Sequence, residues 1–180
     1  MLGSKAEREM MLYMTRIIYC ALFILSISGD LSAQNTKDVS LAEKKKFLRL
    51  LDTLPMDSDH EFFTEESVNK AAPSIRTLFA LTEADIDKDH ISPLLGLSRD
   101  LCDREESRAY SLNSFQTIRH PIIKLFWGAV LFDKGVATQQ IVEYLRTAIS
   151  SNTQSKTLSD IVGPKYEEFK QRVLTYPTKK

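Results

Sequence analysis

Asp85-Ile86-Asp87-Lys88-Asp89 is the stretch whose spacing comes nearest to a ligand site. Carboxylates at alternate positions open a calcium loop, which also needs Gly at its sixth place and a bidentate Glu at its twelfth. His90 and Gly96 stand there instead, so the run reads as a solvated connector that caps a helix. His60, His90 and His120 recur at intervals of 30 residues. Helix-borne zinc motifs place two His at i and i+4, and His60-Glu61 begins such a motif, but position 64 is Thr. A metal or hydrolytic site folded together from these histidines, or from Asp85, Asp87 and Asp89, stays open as an alternative. Cys102 would be a nucleophile if a His lay beside it and if Arg99 and Arg104 lowered its pKa. Its place after Leu101 at a helix end favours burial as a small hydrophobe.

The remaining candidates are weaker. Gly-x-Ser-x-Gly, Gly-rich phosphate loops and Gly-x-Gly-x-x-Gly are absent from the chain. Glu105-Glu106 and Glu167-Glu168 are adjacent pairs, which on helices point to different faces. Phe126, Trp127 and Tyr144 could line a groove for a partner helix or a sugar ring, although an aromatic at helical spacing is more often core. Tyr166 stands between Lys165 and Glu167, and Tyr110 and Tyr176 lie within three residues of a charge. No catalytic, cofactor-binding or metal-binding residue is assigned from the sequence, and no cofactor is expected.

The element that must organise the chain is the stretch from Arg119 to Gly135. It carries the only Trp and is apolar nearly all round. Pro121 suits a first helical turn, and Gly135 can take the left-handed conformation that ends a helix. A helix apolar on every side needs cover on several sides, so the rest of the chain should wrap it.

Around it the pattern predicts further helices. Ser40-Leu41-Ala42-Glu43 has capping-box form, and Leu41, Phe47, Leu48, Leu51 and Leu54 make a stripe closed by Pro55. Lys44-Lys45-Lys46 on that helix reads as a solvated face. Thr64 can cap a helix with Glu65 and Glu66 in its first turn, interrupted at Pro73. Ser92-Pro93 is expected to open the next helix. Asp103 to Glu106 is a second capping-box candidate, before a helix burying Ala109, Leu112, Phe115 and Ile118. Thr138 caps a helix with Ile141, Val142, Leu145, Ala148 and Ile149 inward. Ser150 to Ser155 is expected to be a polar loop. A last helix should start near Ser159 or Pro164, use Ile161, Phe169, Val173 and Leu174, and stop at Pro177. No run alternates at period two and no hairpin signal appears. The expected fold is all-α, with six to eight helices as stacked hairpins or an irregular bundle.

Composition adds where the chain goes. The 24 basic and 24 acidic residues cancel, so no global field favours nucleic acid or an anionic membrane. Residues 17 to 28 are an uncharged apolar run, preceded by Lys5, Arg8 and Arg16 and followed by Leu31-Ser32-Ala33. Those are the three parts of a secretory signal peptide, and the run falls well short of the about 20 residues a spanning helix needs. Residues 1–33 are therefore expected to be a cleavable leader, with Met14 the true start and residues 1–13 an extension. Cys20 follows Ile18-Tyr19 rather than small residues, which argues against a lipid anchor. Export, periplasmic or extracellular, with no stable membrane anchor after cleavage, leaves a single helical domain over 34–180. Cys102 is then the one remaining cysteine.

Ala72-Pro73-Ser74-Ile75, Ser92-Pro93-Leu94-Leu95 and His120-Pro121-Ile122-Ile123 start alike, at spacings of 20 and 28 residues. With the run through Leu131, Gly135 and the helix from Thr138, these segments resemble the HEAT-like α-α repeats, over residues 65 to 150 at most. His120-Pro121 and Lys124 stand where such families typically have an Asp-Pro turn and a following Arg. Repeats of this kind are similar to those appended behind the catalytic domain of some secreted bacterial sulfatases. The sulfatase nucleophile motif is absent, since Cys102 is followed by Asp103-Arg104-Glu105. The leader, the helices and the absence of a catalytic constellation point to an exported, non-catalytic binding or scaffold module whose partner is another protein; the resemblance implies as an alternative a detached accessory domain of a sulfatase-like enzyme. Protein recovered from its native host should begin at or near Gln34. Intact-mass analysis checks this, and a chain retaining residues 14–33 would contradict it.

Overall fold

The computed structural model describes residues 39–57 and 62–177, so the leader and His60 lie outside the described residues. The first helix, α1 (Leu41–Leu51), starts at the expected capping box: the Ser40 hydroxyl accepts from the Glu43 N–H, and the Glu43 carboxylate accepts from the Ser40 N–H. Phe47 and Leu51 face the core, whereas Leu41, expected on the same stripe, is 60% exposed because it precedes the first packed turn.

A short antiparallel pair follows, β1 (Met56–Asp57) with β2 (Phe62–Phe63), Met56 opposite Phe63. The sequence pattern gives no strand there, because two residues per strand are too few to establish an alternation. Thr64 caps α2 (Glu65–Ala71) as its spacing predicts, accepting from the Ser67 N–H. Pro73 marks a 3-10 turn, Ala72–Ser74, before α3 (Ile75–Ala80).

The fourth helix, α4 (Lys88–Cys102), begins five residues before Pro93 rather than at it. Asp87 supplies the extended residue that starts the helix, and the His90 N–H closes the first turn on the Asp87 carbonyl at 3.0 Å. Pro93 then sits inside the helix, where its missing N–H forgoes one bond to the carbonyl a turn earlier. Burial of Leu94, Leu97, Leu101 and Cys102 outweighs that loss.

After α4 comes α5 (Glu105–Ser114), running into a 3-10 turn at Phe115–Thr117. Its N-cap is Arg104 with no side-chain bond, so the capping box expected at Asp103 does not form. Its buried face also differs from expectation. Ala109 is exposed and Leu112 half-buried, whereas Ser107 and Ser111 are buried. The Ser111 hydroxyl donates to the Ser107 carbonyl at 2.6 Å, and Ser98 of α4 does the same to Leu94 at 2.7 Å. Back-bonding satisfies the hydroxyl within its own helix, so serine can serve as a small packing residue.

The remaining helices are α6 (Pro121–Asp133), α7 (Gln139–Ser150), α8 (Asn152–Val162) and α9 (Tyr166–Thr175). A 3-10 turn at Gly163–Lys165 separates the last two. The polar segment expected as a loop is therefore the start of α8, which follows α7 after Ser151 alone. Leu158 is its only buried residue, so packing against α7 and α6 rather than a long apolar stripe holds it in place. A 2.6 Å hydrogen bond between the Ser155 and Tyr166 hydroxyls ties α8 to α9. Leu174, expected inward, is 44% exposed, and Phe169 and Val173 do the burying on α9.

Reading through the two Pro-marked 3-10 turns, the described residues form seven continuous helical runs, an all-α fold within the expected six to eight helices. No helix among them is long and apolar enough to cross a membrane.

The centre is α6. Pro121 is its first residue and Gly135, at φ 73°, ends it with its N–H on the Phe132 carbonyl. From Pro121 to Phe132 every residue is buried or half-buried, covered by α4, α5, α7 and α8. Gly128 lets α7 come close: a Cβ there would lie 3.4 Å from both Leu145 and Phe115. Trp127 is fully buried, edge-on to Phe79 of α3 at 5.4 Å. Its stacking partner is thus the ring on α3, which periodicity along α6 could not have named. Trp127→Ala should destabilise the fold by about 3–5 kcal/mol through lost burial and the cavity left behind. Thermal melts would measure it. Native fluorescence should be blue-shifted and resist acrylamide, and a red-shifted, readily quenched emission would contradict the placement.

Candidate functional site

The residues singled out by type and spacing are distributed through the fold. Asp85 takes one N–H and one hydroxyl bond from Thr82, both to Oδ2, and the Lys44 Nζ at 2.7 Å. The two charged side chains are about a tenth exposed, Lys44 at 12% and Asp85 at 10%. Burial pushes the Asp85 carboxyl up, but the bonds from Lys44 and Thr82 outweigh it and hold it below its ordinary value. Asp87 is the N-cap of α4 and Asp89 lies in its first turn. Asp85 thereby joins α1 to the α3–α4 connector, while the Asp87 and Asp89 side chains stay exposed and Asp87 makes no side-chain capping bond. Lys44 correspondingly leaves the solvated face expected for the basic run, while Lys45 and Lys46 stay on it.

The His90 ring Nε2 lies 3.2 Å from Asp52 at the end of α1, a second link between that helix and α4. His120 is 3% exposed at the start of α6. Cys102 is fully buried, and desolvation pushes its thiol up to about 11 despite Lys134 and Arg108 nearby. The guanidinium groups expected to activate it, Arg99 and Arg104, are not among the charges acting on it. No group of three or more His, Cys, Asp or Glu side chains placed to hold a metal occurs among the described residues.

The aromatic candidates also separate. Trp127 belongs to the core, whereas Tyr144 is half-buried with its ring edge-on to Phe115 at 5.4 Å. The Lys124 ammonium stands 5.3 Å from each of these two ring centroids and 3.3 Å from the Gln116 carbonyl oxygen. Desolvation lowers the Lys124 pKa, and it raises the Tyr144 phenol to about 12. This cluster is a cation set on a pair of rings.

A recess that periodicity does not announce lies where α2, α4 and α5 converge. Glu65 and Val68 of α2, Asp100 of α4, Arg104 of the α4–α5 turn and Glu105 and Glu106 of α5 line a cleft of about 440 Å³. Three of its carboxylates have a local cause: Glu65, Glu105 and Glu106 occupy first turns, where the helix dipole favours negative charge. Asp100 sits near the end of α4, where the dipole does not help it. It accepts the Phe63 N–H at 2.9 Å, and Arg99 stands 3.7 Å away. Burial is the largest influence on its carboxyl and raises it above the ordinary value. Arg104 reaches across to the Asn69 side-chain oxygen, joining the α4–α5 turn to α2. Four carboxylates and one guanidinium, with Val68 the one apolar residue of the lining, make a surface for cationic groups. Glu65 was visible in the sequence as a first-turn residue, whereas Glu105 and Glu106, expected to point to different faces, both line this cleft because it lies across the start of α5. Their convergence depends on how α2 and α5 dock on α4, and no spacing along the chain encodes that.

No family model matches the chain, and no curated protein or solved structure matches it.

Removing Asp85 tests the structural role of its stretch. Asp85→Ala leaves a nearly buried ammonium without its carboxylate and should cost about 3 kcal/mol, at the low end for a broken buried pair because some solvent reaches it. Added calcium should leave the wild-type melting temperature unchanged. A melting temperature that rises with calcium, and no longer does so in Asp85→Ala, would restore the ion-binding reading.

Proposed function

We propose that this chain is an exported, non-catalytic helical binding or scaffold module that meets its protein partner through the cleft between α2, α4 and α5. One contrast carries the reading. The side chains capable of chemistry are engaged in the fold, with Asp85 held by Lys44 and Thr82 and Cys102 and His120 buried. Glu65, Glu105 and Glu106 of the cleft are exposed. Such a set of carboxylates suits a partner segment bearing Lys or Arg.

A HEAT-like stack is the architecture we favour for the module. In its support, α4 packs on α6, α6 on α8 and α7 on α9, while consecutive helices α6, α7 and α8 also pack on one another. Contact with both the next helix and the next but one is what stacked helix pairs require. Export rests on the leader.

The experiment combines composition with binding. Elemental analysis of the untagged protein should find neither zinc nor calcium in stoichiometric amount. Crosslinking in the native exported fraction should join the wild type to a defined partner, and Glu105→Gln with Glu106→Gln should lose it while lowering the melting temperature by no more than the loss of two first-turn charges entails. Metal-dependent hydrolysis that vanishes on mutating His90 or His120 would refute the proposal.

A further inference from the structure

We propose that His120 is an acid-responsive latch: on taking up a proton, its imidazole leaves its buried seat at the start of α6 and frees the joint that ties that end of the helix to α3. The residue is held from both sides. Just before it, the Arg119 N–H donates to the Phe79 carbonyl at 2.9 Å, and the Phe79 ring packs against Trp127. Just after it, the Lys124 N–H donates to the His120 carbonyl at 2.9 Å.

The ring is only 3% exposed and makes no capping bond, and its Nδ1 is buried with no protein partner. A neutral imidazole tolerates that seat. An imidazolium does not, because it loses solvent and faces the positive end of α6. Arg119 and Lys124, on its own segment, carry the same sign. Glu83, exposed on the connector between α3 and α4, is the charged group that acts on the ring in the opposite sense. Burial outweighs Glu83 and lowers the affinity of the closed ring for a proton.

The sign of the linkage follows. An opened His120 regains an ordinary imidazole, with a pKa of about 6.5, and binds a proton that the closed form refuses. The closed joint is therefore fully stable above that value and weakens as pH falls through it toward the lower value of the seated ring. Two arrangements follow: neutral and seated at the start of α6, or protonated and released to solvent.

Labelled protein followed by NMR, with amide hydrogen exchange, tests this without a variant. From about pH 7 to about pH 5, protection at Arg119 and Lys124 should fall about ten-fold beyond the intrinsic change in exchange rate, while Leu97 and Leu145 amides hold theirs. Glu83→Gln should deepen the loss of protection at about pH 5, because the seated ring then refuses the proton more strongly, and His120→Gln should abolish the pH dependence. If His120→Gln does not fold, the wild-type and Glu83→Gln titrations still decide. A ring that titrates at or above its ordinary value with both amides unmoved would overturn the latch. So would loss of protection at all four amides together, which would mean global acid unfolding.

Discussion

One helix with no polar side sets the terms for this fold. From Pro121 to Phe132, α6 carries a single charged residue, Lys124, and even that ammonium rests on the Phe115 and Tyr144 rings. Burying a large apolar side chain is worth about 1.5–3 kcal/mol, and α6 buries Ile123, Leu125, Trp127, Leu131 and Phe132. That gain is available only if neighbours surround it. The ordering of α4, α5, α7 and α8 around one axis is a consequence of this requirement. Gly128 on α6 and Ser107 and Ser111 on α5 then set how near the covering helices come.

Enclosing a helix also draws polar groups inside, and most find an answer, although the Trp127 Nε1 is buried with no protein partner. Backbone carbonyls one turn earlier answer for Ser98 and Ser111. Lys44 and Thr82 answer for Asp85. For His120 the answer is to stay neutral. These arrangements engage Asp85 and Cys102 in the fold. A carboxylate fixed in a buried ion pair, or a thiol pushed up to about 11, is poorly suited to catalysis at neutral pH. Where the first turns of α2 and α5 meet the end of α4, Glu65, Asp100, Glu105 and Glu106 come together with Arg104.

Much of this was legible along the chain, and the rest was not for identifiable reasons. Ser40, Thr64 and Thr138 cap helices because a hydroxyl three residues ahead of a donor is a purely local geometry. Pro121 and Gly135 bracket α6 by their own backbone preferences. Pro93 misled, because tertiary burial of Leu94, Leu97 and Leu101 carried α4 through a residue that usually starts or ends a helix. The start of α8 misled for a related reason: its polar composition reads as loop, and Leu158 needs its neighbours before it counts. The buried serine face of α5 looks polar until back-bonding is considered. The cleft was out of reach altogether, since Glu65 and Glu105 are brought together by docking.

The central claim is that α6 is the last element to lose its cover. Native-state hydrogen exchange at neutral pH measures it most directly. The amides of Leu125, Trp127, Ala129 and Leu131 should exchange only by global unfolding, with a free energy equal to that from denaturant melts, while α1 and α9 open earlier. If the α6 amides instead exchanged with those of α1 or α9, well below the global value, the helix would not be the centre on which the rest depends.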